Sequence, residues 1–217
     1  MKKVKETLPK SPILPNTLDL EVVTLTNLKT DADFENVILE ELDLPASKAI
    51  GVSIYSSVIK KFNLASSVLK KFKLSDVLAK ALNLDNADLE DSNLDRVNFS
   101  NSRFVGCRLV NSSIRDAHFK DCKMDLVTFR FSKLRNVRFE NCSLKESDFS
   151  GCELDNVVFF YSDLLSTDFS QAKLKDVDVS SSSIEGIKIA TEQFKGLTVG
   201  YSQIVHIAQL MGITIRL

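Results

Sequence analysis

Every fifth residue from Phe34 to Ile189 is apolar, thirty-two consecutive slots without a slip in phase, and only Ala49 and Ala79 among them are small. Through the middle of the chain the series reads Leu84, Leu89, Leu94, Phe99, Phe104, Leu109, Ile114, Phe119, Met124 and Phe129. Two residues before each slot lies a second series of mostly small side chains, among them Ala87, Ser92, Ser102, Cys107, Ser112 and Ala117. A period of five matches neither the helical period of about 3.6 nor the strand period of about 2. It suits a solenoid, in which each short unit turns a corner and stacks on its neighbours.

Several units read as variants of one short motif: Ala87-Asp88-Leu89, Ser92-Asn93-Leu94, Val97-Asn98-Phe99, Ser147-Asp148-Phe149 and Thr167-Asp168-Phe169. Over about 155 of its 217 residues the chain resembles the pentapeptide repeat family, whose consensus is roughly A-(D/N)-L-x-x. The resemblance implies an all-β solenoid, a right-handed quadrilateral parallel β-helix with one pentapeptide per side and twenty residues per coil. The thirty-two units then make about eight coils, a rod roughly 40 Å long at about 4.8 Å per stacked strand. Columns twenty residues apart agree with that coil. One side stacks Phe99, Phe119, Phe139 and Phe159; the opposite side stacks Leu109, Phe129, Phe149 and Phe169. Aromatic ladders facing small residues fill a narrow interior without voids.

The expected layout is a flexible arm over residues 1–17, rich in proline (Pro9, Pro12, Pro15), a β-helix over 18–190 and a C-terminal cap over 191–217. Leu18 to Leu28 reads as a first strand. Residues 45–83 are less regular, with Phe62 and Phe72 at normally small positions. They read as continuous coil, packed differently, against the alternative of an amphipathic helix over Ala65 to Leu82 with Leu69, Phe72 and Leu78 on its apolar face. Ser202 to Met211 predicts a short helix stopped by Gly212, and Ile213 to Leu217 a terminal strand. This tail reads as a cap against strand-edge polymerisation. Its other reading is a homodimer interface, which some members of the resembled family build from their C-terminal segment, so the chain is expected to be a monomer or such a dimer.

Composition adds few constraints. An apolar fraction of 44% is ordinary, and no apolar run is long enough to cross a bilayer. The lysines of the first residues precede no apolar stretch of signal-peptide length, which predicts a cytoplasmic location. The four cysteines, Cys107, Cys122, Cys142 and Cys152, all fall on the small-residue series and read as buried thiols. No cysteine pair has zinc-finger spacing, and no metal or cofactor is expected.

The net charge of −1 hides banding: +5 from Lys60 to Lys80, +6 from Arg103 to Arg138, and −7 from Glu140 to Glu185. Arg103 with Lys123, and Arg115 with Arg135, are expected to stack in adjacent coils. Within the resembled family, proteins associated with quinolone resistance mimic duplex DNA and bind DNA gyrase or topoisomerase IV. Such mimicry wants one long acidic surface, and here the basic bands interrupt it. Direct nucleic-acid binding is disfavoured, since only Phe131, Phe160 and Tyr161 offer accessible rings. Phe160, Tyr161 and Leu165 are expected to face outward as an apolar patch for a protein partner. The chain carries no Gly-rich phosphate loop, and His118 is expected in an exposed slot between Asn98 and Arg138, poorly suited to a general base. The reading is a non-catalytic, cytoplasmic, bacterial scaffold for an unidentified protein partner; the alternative is a DNA-mimicking modulator of gyrase or topoisomerase IV.

Overall fold

The apolar slots become the inner wall of a parallel β-solenoid in the computed structural model, which describes residues 8–16 and 19–216. Its strands are β1 (Glu21–Val23), β2 (Asp33–Glu35), β3 (Val37–Glu40), β4 (Ser53–Lys60), β5 (Lys73–Lys80) and β6 (Asn93–Ser100). They continue as β7 (Ser113–Lys120), β8 (Lys133–Glu140), β9 (Glu153–Phe160), β10 (Lys173–Asp178) and β11 (Leu197–Thr198). All but β2 form one ladder in chain order, and β2 pairs with β4 beside it. From β3 onward the register advances by one twenty-residue turn, as in Phe99↔Phe119↔Phe139↔Phe159. The ladder makes about nine turns rather than eight, because β1 and β11 pair on beyond the periodic stretch.

Four faces follow from where the backbone bends. From Asp31 to Asp176 every fifth residue has φ between +45° and +74°, so each pentapeptide ends in a left-handed corner. Side chains pay a steric penalty in that region unless they are glycine or a short residue such as Asn or Asp. Asn86, Asp91, Asn101, Asn111, Asp116 and Asp121 hold six of the eight corners from residue 86 to 121, with Arg96 and Gly106 at the other two. Each eight-residue strand bends at such a corner, Asp76 in β5 or Arg96 in β6, giving face one before the bend and face two after it. Faces three and four are narrower and joined by single bridges, Asn83↔Arg103↔Lys123 and Asp88↔Arg108↔Thr128.

Phenylalanine fills the interior in two opposed ladders. On face two, Phe99, Phe119, Phe139 and Phe159 stack at 4.9–5.0 Å with interplanar angles of 7–13°. On face four, Phe129, Phe149 and Phe169 stack at 4.7–5.3 Å. The ladders meet edge to face, as Phe139 does with Phe129 and Phe149 at 6.1 and 6.2 Å. The small series has a polar duty besides its size. Ser92, Ser112 and Ser132 accept the backbone N–H of Phe72, Ser92 and Ser112, closing donors that bend away from the ladder. The buried cysteines extend the pattern, with the thiols of Cys122 and Cys142 donating weakly to the carbonyls of Lys120 and Glu140. Burial pushes the Cys152 thiol up to about 12, in keeping with an inert thiol.

The irregular stretch is continuous coil, and β5 occupies the region where the helical alternative would lie. Phe62 and Phe72 are buried at their corners, in the same turns as the small slot residue Ala79. The arm lies against the rod: the backbone N–H of Lys10 donates to Asp116 Oδ1 (3.3 Å) and that of Ile13 to Asp76 Oδ1 (2.9 Å). Residues 1–7, 17 and 18 lie outside the described residues, so the expected start of the first strand at Leu18 does too.

At the far end two tight turns, Thr191–Gly196 and Tyr201–Gln203, precede α1 (Ile204–Leu210). Gln193 and Gln203 do the same work ten residues apart. Gln193 Nε2 donates to the carbonyls of Phe169 and Ala172, and its Oε1 accepts from Ala190 N–H at 2.7 Å. Gln203 repeats this with Val179, Ser182 and Gly200. Gly196 passes so close to the last full turn that a Cβ there would lie 1.9 Å from the Leu174 carbonyl oxygen. The tail departs from expectation beyond α1. Residues 213–216 form no strand; the backbone N–H groups of Met211, Gly212 and Ile213 turn back to the carbonyls of Ile207, Gln209 and Ala208 at the end of the helix.

Candidate functional site

Outward columns carry the surface chemistry, and most of their charge is spent within the rod. Arg103 pairs with Asp85 at 2.6 Å, Arg115 with Asp95 at 2.7 Å, and Arg135 more loosely with Asp155 at 3.8 Å. The expected stacks Arg103↔Lys123 and Arg115↔Arg135 form, but each arginine reaches down to the acid of the preceding turn or up to the next. The acidic band is tied up as well. Glu153 contacts Lys173 at 3.0 Å, Asp155 contacts Lys175 at 3.0 Å, and Asp163 contacts Lys145 at 3.1 Å. Parallel register places residues twenty apart at neighbouring rungs, so opposite charges in one column neutralise each other locally.

The apolar patch expected at Phe160, Tyr161 and Leu165 is divided. Phe160 stands in the outward column of Lys120 and Glu140 but is half-buried, because the Arg138 guanidinium lies over its ring at 4.2 Å and Tyr161 meets its edge at 4.4 Å. Tyr161 stands out at the corner between faces two and three, 66% exposed, and Leu165 is exposed on the far side of Asp163. Phe131 is exposed at another corner, with Arg130 over its ring at 5.4 Å. Gly151 on the next turn makes room for it: a Cβ there would sit 2.7 Å from the Phe131 ring.

Face two holds the most organised polar cluster. Glu140 accepts from Arg138 Nε at 3.2 Å, lies 3.2 Å from His118 Nε2, and pairs with Lys120 at 2.8 Å. Arg138 itself is buried. His118 is half-buried, not in an exposed slot, since its column neighbours Asn98 and Arg138 close over it. Burial lowers its pKa, with Glu140 pulling the other way. The Lys120 hydrogen bond, opposed by burial and helped by Arg138, holds Glu140 at about 2. An unfolded glutamate titrates near 4.3, so this carboxylate stabilises the fold above that pH, and the contribution is lost as pH falls toward about 2. Urea unfolding at pH 5 and at pH 2.5 is expected to show a smaller acid-induced loss in Glu140→Gln than in the parent chain. Equal losses in the two proteins mean that Glu140 is not depressed.

Below this cluster, on the same face, lies a groove of about 360 Å³. Val58, Leu78, Asn98 and His118 form one side, in successive rungs, and Ala79 and Phe99 lie in its floor. The second side is Lys60, Lys80, Ser100 and Lys120. The five-residue pattern hid this groove, because Val58 and Leu78 stand at outward positions where polar residues are the rule. The apolar pair at one column position, twenty residues apart, was the available signal. Among the described residues no cluster of three or more His, Cys, Asp or Glu side chains is arranged to hold a metal ion, and no helix is long and apolar enough to cross a membrane.

No curated protein matches the chain. Solved structures similar to it include a trypsin-treated variant of QnrB1, a plasmid-mediated fluoroquinolone resistance protein, at 14% identity over 87% of this chain and 99% of that one, with a TM-score of 0.38. HetL, a pentapeptide repeat protein involved in heterocyst differentiation regulation from the cyanobacterium Nostoc sp. strain PCC 7120, is 14% identical over 81% of this chain and 92% of its own, with a TM-score of 0.37. A pentapeptide repeat protein of the Arabidopsis thaliana thylakoid lumen is 18% identical over 51% of this chain and 73% of its own, also at 0.37. The pentapeptide repeat region, as a family model, matches residues 92–160 and 132–208. Those overlapping matches take in more than half of the chain, each side of the rod is one such repeat, and the chain belongs to the pentapeptide repeat family.

Proposed function

We propose that this protein is a non-catalytic scaffold that binds another protein along its flat faces. The observation that carries this reading is face two, where an apolar and basic groove lies beside an ordered cluster of charged groups on a rigid backbone. Rigid faces lose little conformational entropy on binding, which favours association without chemistry. Cytoplasmic residence fits the four cysteines, which are free buried thiols suited to a reducing compartment. The gyrase-mimic reading is weaker, because six of the ten acids from Glu140 to Glu185 are ion-paired with lysines and arginines of their own and adjoining turns, which breaks up the long negative surface that mimicry wants. The cap leaves Tyr201, Ile204, Val205 and Met211 exposed, a surface suited to a second copy of the chain.

The test is a photocrosslinking amino acid placed in living cells at one exposed position per face, Leu78, Lys48, Leu165 and Arg135, and at Ile204 on the cap. One protein species captured reproducibly from one face, with no change in gyrase supercoiling on titration of the purified protein, is the expected result. Adducts of the chain with itself from Ile204 would mark the dimer. Capture from none of the faces, or inhibition of supercoiling at low micromolar protein, would overturn the scaffold reading.

A further inference from the structure

We propose that the groove on face two docks an extended, acidic segment of a partner protein, laid lengthwise along the rod; this rests on the scaffold reading above. The groove crosses four rungs, from Val58 to His118, and three rung spacings of about 4.8 Å make it roughly 14 Å long. An extended chain rising about 3.3 Å per residue covers that length with four to five residues.

Its chemistry asks for an occupant with both apolar and negative groups. Val58 and Leu78 offer an aliphatic surface, and Leu78 is 37% exposed although its neighbours on the strand are buried. Lys60 and Lys120, at the two ends, already pair with Glu40 and Glu140. Lys80, between them, makes no ion pair among the described residues and is exposed. The middle of the groove is therefore positive over an apolar floor. A carboxylate beside aliphatic side chains meets both, whereas a nucleic-acid backbone brings charge without apolar surface for Val58 and Leu78.

The protein's own arm shows that the rod accepts a chain in this direction. Lys10 and Ile13 donate their backbone N–H groups to Asp116 and Asp76, corners on the ridge that separates faces one and two. Asp76 and Asp116 are two rungs apart, about 9.6 Å, and three residues of the arm cover that distance at about 3.2 Å each, the rise of an extended strand. Ladder and extended peptide are thus commensurate: three peptide residues match two turns. A second extended segment in the groove meets the same repeat on the adjoining face.

A phage-displayed library of random 12-residue peptides, selected on the full chain, tests this, with the best peptides measured by fluorescence anisotropy. The selected peptides are expected to mix aliphatic residues with Asp and Glu. Leu78→Asp should weaken them at least tenfold and Lys80→Glu at least fivefold, while Lys48→Glu, on the opposite face, leaves affinity unchanged. Lys80 is an exposed side chain, so its variant reports on binding even if Leu78→Asp disturbs the fold, which the unfolding midpoint will show. No enriched peptide, or affinities that ignore both groove changes, would overturn the proposal. If crosslinking still captures one partner from another face in the Lys80→Glu protein, the scaffold reading survives and only the groove fails.

Discussion

Phe139→Ala is expected to lower the stability of the rod by about 3–5 kcal/mol. The ring stacks between Phe119 and Phe159 at 5.0 Å on either side and meets Phe129 and Phe149 edge on. It is fully buried. Truncation removes the transfer energy of a phenyl group and leaves a cavity whose walls are rings held by their own rungs, so the site has little freedom to collapse. The solenoid geometry adds to the effect, because each turn is stabilised chiefly by the turns on either side and a weak interface divides the array. At roughly 2–4 °C per kcal/mol for a chain of this size, the unfolding midpoint should fall by about 6–20 °C. Phe131→Ala, at an exposed corner, is the control and should move it little. A loss below about 1 kcal/mol in Phe139→Ala would mean that the ladders are not the main source of cohesion.

The double replacement Gln193→Leu with Gln203→Leu is expected to open the C-terminal end. Each glutamine satisfies a carbonyl at two points of the preceding turn and a backbone N–H of its own, all with heavy-atom distances of 2.6–2.8 Å. Leucine keeps the volume and removes the hydrogen bonds, leaving buried polar groups unpaired at roughly 1–3 kcal/mol for each site. The second consequence is association. Once the glutamines let go, the short turns that cover the ladder fray, and unpaired strand edges recruit other copies. Urea unfolding should show the loss of stability, and light scattering should show particle size rising with concentration. A variant that keeps the parent midpoint and stays monodisperse would rule out the glutamines as the plug.

Much of the fold could be read from the chain because a five-residue period admits few backbones. The slots at Phe99, Phe119, Phe139 and Phe159 already implied the turn length, and the structure puts them at successive rungs. The same phase runs unbroken past Phe62 and Phe72, where β4 and β5 pair in the twenty-residue register. The cap was harder. Gln193 and Gln203 differ in surroundings and carry no apolar signature, and their role depends on carbonyls twenty-one and twenty-four residues away. The site was less legible still. The sequence places Phe160 in an exposed patch, whereas Arg138, twenty-two residues earlier in the chain, covers its ring. His118 changed in the same way, from an exposed slot to a half-buried one beside Glu140.

By itself the sequence determined the solenoid, its parallel stacking, the two aromatic ladders and the buried place of the cysteines, because each follows from a local period repeated without interruption. Only the tertiary structure decided which surface charges survive. Arg115 and Asp95, or Lys173 and Glu153, are far apart in the chain and meet only because the coil brings every twentieth residue to the same column. The groove beside Lys80 arises for the same reason: an apolar column and a basic column become its two walls once the turns are stacked about 4.8 Å apart.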